Sequence, residues 1–152
     1  MNISPKIALY EPDIPQNTAS IIRTCSCLGG YLEIIQPCGF LLSDRRFKRV
    51  VMDYMDKKKI KFYTNYNEFF ESKKKGRIIL FTTKSNKSFF DFSFNKSDTL
   101  LFGRESSGVP KNVHAIVNER LKIPMVKNKR SLNLASSVAI VLSEFIRQTN
   151  NL

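Results

Sequence analysis

Side chains able to assist a group transfer are concentrated in three short stretches of the 152-residue chain. The first is Glu11-Pro12-Asp13-Ile14-Pro15-Gln16-Asn17-Thr18, which leads on to Arg23. Carboxylate, carboxamide and guanidinium groups of this kind can orient a hydroxyl nucleophile or hold an anion. Arg23 lies six residues past Asn17, nearly two helical turns along, so the two can face one site a turn apart. Taken alone, the simpler reading is a helix capped by Asn17 or Thr18 with a solvated arginine. The second stretch is Leu100-Leu101-Phe102-Gly103-Arg104-Glu105-Ser106-Ser107-Gly108-Val109-Pro110. Glycine at both ends of a turn permits positive φ and close approach of a ligand to the backbone. Gly103 and Gly108 have the spacing of a phosphate-binding loop, but Val109-Pro110 stands where Lys-Ser/Thr is required, which disfavours nucleoside triphosphates. Glu105 would repel phosphate and suits a cationic or hydroxyl-bearing ligand better. The third stretch is Ile123-Pro124-Met125-Val126-Lys127-Asn128-Lys129-Arg130-Ser131-Leu132-Asn133-Leu134. Asn133 can cap the apolar helix that follows, or the stretch can form a backbone-lined pocket with an Arg-Ser-Leu-Asn rim.

The elements that must position these stretches follow from pattern. Strands are expected at Ile7–Tyr10, Tyr31–Ile35, Ile60–Tyr63, Arg77–Thr82, Thr99–Phe102 and Arg120–Ile123. Helices are expected at Gln16–Leu28, closed by Gly29-Gly30, then at Asp44–Met52, Glu68–Lys75, Pro110–Val117 and Leu134–Gln148. Alternating strands and helices imply an α/β fold with a mainly parallel sheet flanked by helices. In such sheets ligands sit beyond the carboxyl ends of the strands, where the three polar stretches fall. The length fits one domain, 1–152.

The balance of 25 Lys plus Arg against 13 Asp plus Glu gives +12, an excess that favours polyanion partners. Arg45, Arg46, Lys48 and Arg49 share one short helix, Lys57, Lys58, Lys59 and Lys61 follow, and Lys127, Lys129 and Arg130 flank the third stretch. Lys73, Lys74 and Lys75 are expected to form a solvated face at a helix C-terminus. Cys25, Cys27 and Cys38 make an odd set that reads as buried small hydrophobes rather than a disulfide framework or zinc site. His114 is the sole histidine, so His-based triads and HExxH metalloproteases are poorly supported. No signal peptide or membrane-spanning run is evident, and the chain is expected to be cytoplasmic.

In this order, the three stretches resemble the three motifs of the SPOUT superfamily of RNA methyltransferases, from Ile7 to Glu144. Ile-Pro-Met followed by Ser-Leu-Asn-Leu-Ala, and Phe-Gly-Arg-Glu-Ser-Ser-Gly-Val-Pro, carry the likeness. The small size and the opening Leu-Tyr-Glu-Pro-Asp-Ile-Pro-Gln-Asn-Thr are similar to the TrmL (YibK-like) branch, which methylates the ribose 2′-oxygen of nucleotide 34 of certain leucine tRNAs. The resemblance implies a C-terminal trefoil knot, S-adenosyl-L-methionine as methyl donor, tRNA as partner, no metal, and a homodimer with the site at the subunit interface. It places Phe81, Thr82, Gly103, Ile123, Met125, Ser131 and Leu132 around the donor. Arg23, Asn17, Glu105, Ser131 and Asn133 fall at the active site, and Arg45, Arg46, Arg49, Lys127, Lys129 and Arg130 on the RNA track. The family's usual candidate for deprotonating the hydroxyl corresponds to Arg23. A guanidinium is a poor base, so a role in holding phosphate or steering the hydroxyl is preferred. Two departures concern the RNA side: Ser143 where many relatives carry Tyr, and Met55 where relatives often place an aromatic residue or His. The alternatives are a SPOUT enzyme acting on another tRNA position or on rRNA, and a non-catalytic RNA-binding protein of the same fold.

Overall fold

Short apolar runs separated by amphipathic helices can bury both faces of a sheet only if the helices cross over it. The computed structural model, which describes residues 3–54 and 56–149, has this arrangement. Strands β1 (Lys6–Tyr10), β2 (Tyr31–Ile35), β3 (Ile60–Tyr63), β4 (Ile78–Phe81), β5 (Thr99–Phe102) and β6 (Glu119–Leu121) form one sheet in the order β3-β2-β1-β5-β4-β6. Every pairing in it is parallel. Strands β4 and β5 are buried along their whole length, as continuous apolar runs in a two-faced parallel sheet should be.

The helices are α1 (Pro15–Leu28), α2 (Arg45–Tyr54), α3 (Tyr66–Glu71), α4 (Lys111–Ile116) and α5 (Leu134–Thr149). Successive strand residues point to opposite faces, which divides the core in two. Ile7, Leu9, Leu100 and Phe102 pack with Ile21, Ile22 and Cys25 of α1 and with Val138, Val141, Leu142 and Phe145 of α5. Ala8, Tyr10, Leu80 and Leu101 pack on the other face with Phe69 of α3 and Val113 of α4. The Phe81 and Phe102 rings stack between adjacent strands, with centroids 5.1 Å apart.

Several element ends differ from expectation, and the helix starts do so for local reasons. Helix α1 starts at Pro15, whose fixed φ suits a first helical residue, and Ile14 at the cap position offers no side-chain acceptor. Neither Asn17 nor Thr18 caps it; Asn17 falls inside the first turn, where its amide is free for the site. Helix α3 begins earlier than expected because Asn65 accepts from the Glu68 N–H (2.9 Å) while the Glu68 carboxylate accepts from the Thr64 N–H (2.7 Å). It also ends at Glu71 rather than Lys75. Pro110 caps α4 instead of lying within it. Strand β6 is shorter than expected, which leaves Ile123 beyond the strand. The Asp44 carboxylate accepts from the N–H groups of Arg46 (2.9 Å) and Phe47 (3.1 Å), so it sits ahead of α2 rather than in it.

Lys73 also departs from the solvated face expected for Lys73–Lys75. It turns inward to pair with Glu33, a carboxylate only 2% exposed on β2, which also accepts from the Tyr63 hydroxyl at 2.8 Å. Lys74 and Lys75 are exposed. Removing one partner of a buried pair strands the other. Glu33→Ala should therefore destabilise the fold by about 3 kcal/mol, read as a lower urea midpoint. An unchanged midpoint would mean that Lys73 and Tyr63 regain water at no cost.

Candidate active site

The sheet reverses its direction of growth at β1. Strands β2 and β3 extend it one way and β5, β4 and β6 the other, so the loops after β1 and β5 diverge from neighbouring strands and leave a crevice between them. Ionic and hydrogen-bonded contacts close the base of this crevice. The Asp13 N–H donates to the Glu105 carboxylate at 2.7 Å, and the Ser106 N–H donates to the Asp13 carboxylate at 3.0 Å. Each acid thus holds the other's loop. Arg104 donates to Asp13 and lies 3.6 Å from Glu11. The Arg104 guanidinium, helped by Ser106, holds the Asp13 carboxyl below its usual range, and the same contact raises Arg104. Glu11 has φ of 41°, a left-handed conformation that costs a non-glycine residue energy and is kept only where surroundings impose it. Its N–H donates to the Ile35 carbonyl at 2.9 Å. Gly39 lies against Asp13 so tightly that a Cβ there would stand 2.9 Å from the Asp13 Cα.

Beyond the carboxyl ends of β4, β5 and β6 lies a cavity of about 520 Å³, within the range of small-molecule sites. The turn after β5 forms one wall. Arg104 and Gly108 exchange both backbone hydrogen bonds, at 3.1 and 2.9 Å, and Gly108 has φ of 68°. Gly103 faces Gly108 so closely that a Cβ would fall 2.6 Å from the Gly108 Cα.

All seven residues expected around a cofactor, Phe81, Thr82, Gly103, Ile123, Met125, Ser131 and Leu132, line this cavity. Asn17, Glu105 and Asn133 line it too, and they are joined. Asn133 Nδ2 donates to Asn17 Oδ1 at 3.0 Å, and Asn17 Nδ2 reaches Glu105 Oε1 at 3.4 Å. One chain of contacts therefore connects the three polar stretches. Asn133 is at the same time the cap of α5, its Oδ1 accepting from the Ser136 N–H at 3.1 Å.

Arg23 is placed differently. It is exposed on α1, its guanidinium 5.1 Å from the centroid of the Tyr54 ring on α2, and it is not among the residues lining the cavity. Arg45, Arg46 and Arg49 are exposed on α2, which packs along α1. Lys127 and Lys129 are exposed on the loop before α5, and only Arg130 of that group reaches the cavity. Ser143 is exposed on α5, while its neighbour Glu144 binds Arg147 at 2.7 Å and Gln148, contacts that lower its carboxyl to about 2. Met55 lies outside the described residues. Among the described residues, no group of His, Cys, Asp and Glu could hold a metal ion, and no helix is long and apolar enough to cross a membrane.

Sequence reasoning overlooked Asp13, Arg104 and Ser106 as partners. The available signal was charge: two acids in the loop after one strand and a lone arginine after another, on strands that turn out to be adjacent.

The fold matches that of the SpoU methyltransferase AviRb from Streptomyces viridochromogenes, solved in complex with AdoMet, with a TM-score of 0.83 at 21% identity over 97% of this chain and 58% of that one. The chain belongs to the SpoU rRNA Methylase family, whose model matches residues 4–143. It is 43% identical over 148 residues to the tRNA (cytidine(34)-2′-O)-methyltransferase of Beijerinckia indica subsp. indica, covering 96% of this chain and 92% of that one. Identity to the Escherichia coli K12 protein of the same name is 37% over 144 residues, 93% and 92% of the two chains. A solved structure described as giving insight into 2-OH methylation of C/U34 on tRNA superposes with a TM-score of 0.88 at 37% identity, over 97% of each chain.

Gly103 tests how tightly the turn is built. Gly103→Ala should cost about 2 kcal/mol, since overpacking against backbone has no flexible side chain to absorb it. Urea unfolding measures this, and an unshifted midpoint would show that the turn opens freely.

Proposed function

We propose that this chain is a cytoplasmic, S-adenosylmethionine-dependent methyltransferase that modifies the ribose 2′-oxygen of nucleotide 34 in leucine tRNAs, cytidine or modified uridine. The observation that carries the reading is the linked set Glu105, Asn17 and Asn133 at the wall of a 520 Å³ cavity, in a chain so similar to enzymes named for that reaction. The cavity suits the donor in size. The Gly103 wall, where no Cβ fits, lets a ligand meet backbone directly. Phe81, Thr82, Gly103, Ile123, Met125, Ser131 and Leu132 would hold the donor, which when bound supplies an electrophilic methyl on a sulfonium.

The residues of the chain do the positioning, and positioning is the main task when the leaving group is already good. Glu105 and Asn17, held by the Asp13 and Asn133 contacts, can orient a ribose hydroxyl. Arg23 holds an adjacent phosphate or steers that hydroxyl, and the proton leaves to water or another polar group. Because Arg23 lies away from the cavity of its own chain, this role requires a homodimer in which the second protomer brings its Arg23 to the site. Arg45, Arg46 and Arg49 on the neighbouring helix, with Lys127, Lys129 and Arg130 on the loop, then form the RNA track. A single domain of residues 1–152 with a C-terminal trefoil knot completes the reading.

Incubation with labelled S-adenosylmethionine and unmodified leucine tRNA, followed by digestion and mapping, should place a 2′-O-methyl at nucleotide 34. Methyl on another nucleotide or on rRNA would overturn the substrate. No donor binding would favour a non-catalytic RNA-binding role. Arg23→Ala should lower kcat/KM roughly 100-fold, and Arg23→Lys should recover little of it, because a point charge lacks the planar fork. Near-full activity of Arg23→Lys would exclude bidentate positioning.

A further inference from the structure

Between β4 and β5 the chain runs through a stretch that the catalytic reading leaves unused, Lys84 to Lys96, with four phenylalanines. Phe89, Phe92 and Phe94 are buried, and the Phe94 ring packs 5.5 Å from Phe145 of α5. Phe90 is 66% exposed. Its backbone is nevertheless fixed. It belongs to a single 3-10 turn, Phe89–Asp91, in which the Ser88 hydroxyl accepts from the Phe90 N–H at 3.2 Å. The Phe89 N–H donates to the Lys122 carbonyl at 3.0 Å, and the Lys122 N–H donates to the Lys87 carbonyl at 2.8 Å. The Phe90 ring rests on Phe89, with centroids 4.5 Å apart and planes at 32°. An aromatic face is thus presented to water on a firm base.

Its surroundings are basic and adjoin the site. The two Lys122 hydrogen bonds lay this stretch against the chain leaving β6, one residue before Ile123, and both Ile123 and Lys84 line the cavity. Lys84 and Lys122 have no salt-bridge partner among the described residues, while Lys87 lies 3.4 Å from Glu119 and over the Phe92 ring. Within Lys84–Lys96 itself, three lysines face one aspartate, Asp91. A single exposed hydrophobe needs no explanation. A held aromatic ring with free cations beside a nucleotide-modifying cavity has the two features that bind single-stranded RNA, a π-face for a base and positive charge for the backbone.

We propose that Phe90 is a stacking platform for an unpaired base of the RNA substrate outside the target nucleotide, with Lys84 and Lys122 meeting the adjoining phosphates. This rests on the RNA-methyltransferase reading and adds a second point of grip on the same substrate. The test is fluorescence anisotropy of the full chain with a labelled, unmodified leucine tRNA anticodon stem-loop, beside calorimetric binding of S-adenosylhomocysteine. Phe90→Ala should weaken RNA binding roughly 5- to 50-fold and leave S-adenosylhomocysteine affinity and melting temperature unchanged. Phe90→Trp should bind like the parent, and Phe90→Leu, apolar but without a π-face, should bind like Phe90→Ala. Equal RNA affinity for the parent and Phe90→Ala would overturn the platform while leaving the enzyme reading intact. Parent-like binding by Phe90→Leu would replace stacking with plain apolar contact. A smaller sedimenting mass for Phe90→Ala would make the patch a contact between copies of the chain. A parent protein that bound no RNA would remove the wider reading, and the platform with it.

Discussion

The reciprocal grip between the loops after β1 and β5 is the contact on which the site depends. Two parallel strands lie side by side there, but the chain leaves them in different directions, and nothing in the sheet keeps the departing loops together. Asp13 and Glu105 each accept from a backbone N–H of the other's loop, and Arg104 neutralises the acids gathered there. Charge-assisted hydrogen bonds of this kind are stronger than neutral ones and directional. They turn a crevice into a wall of defined shape, and they fix the carboxylate of Glu105 without spending both of its oxygens on one partner. The remaining oxygen reaches Asn17, and through Asn17 the start of α5.

The rest of the molecule supplies rigidity to that grip. Strands β4 and β5 are buried along their length, so their carboxyl ends, which carry the cavity walls, have little freedom to shift. Helices α1 and α5 pack together on one face of the sheet. Asn17 and Asn133 meet because those two helices begin at the same end of the sheet. The buried Glu33–Lys73 pair is built on the middle of β2, so charge is used structurally within the sheet and for the site beyond the ends of its strands.

The sheet and its helices were legible in the chain because apolar runs and amphipathic periods report burial directly. All six strands and five helices appear where pattern put them, with ends displaced by a few residues. Three of the displaced helix starts share a cause: Pro15, Asn65 and Pro110 act through local backbone chemistry that periodicity does not see. The cavity-lining positions on the three stretches were legible through motif resemblance rather than through physics. The grip was not legible, because it joins residues roughly 90 positions apart and depends on strand order, which no local pattern encodes. Arg23 shows the same limit from the other side. Its spacing from Asn17 on one helix allowed a shared site, yet the helix turns it outward onto Tyr54, away from the pocket of its own chain.

Gly39 lies on the connection after β2 and takes no part in the chemistry. By composition and exposure it would pass for an ordinary loop residue, free to drift over generations. A Cβ there would nonetheless stand 2.9 Å from both the Cα and a carboxylate oxygen of Asp13. Any side chain introduced there must displace the acid that anchors both loops. The accessible sequence space at this position is therefore set by the loop after the neighbouring strand, β1. An intolerant Gly39 in a mutational scan would report mechanical support, not contact with a substrate.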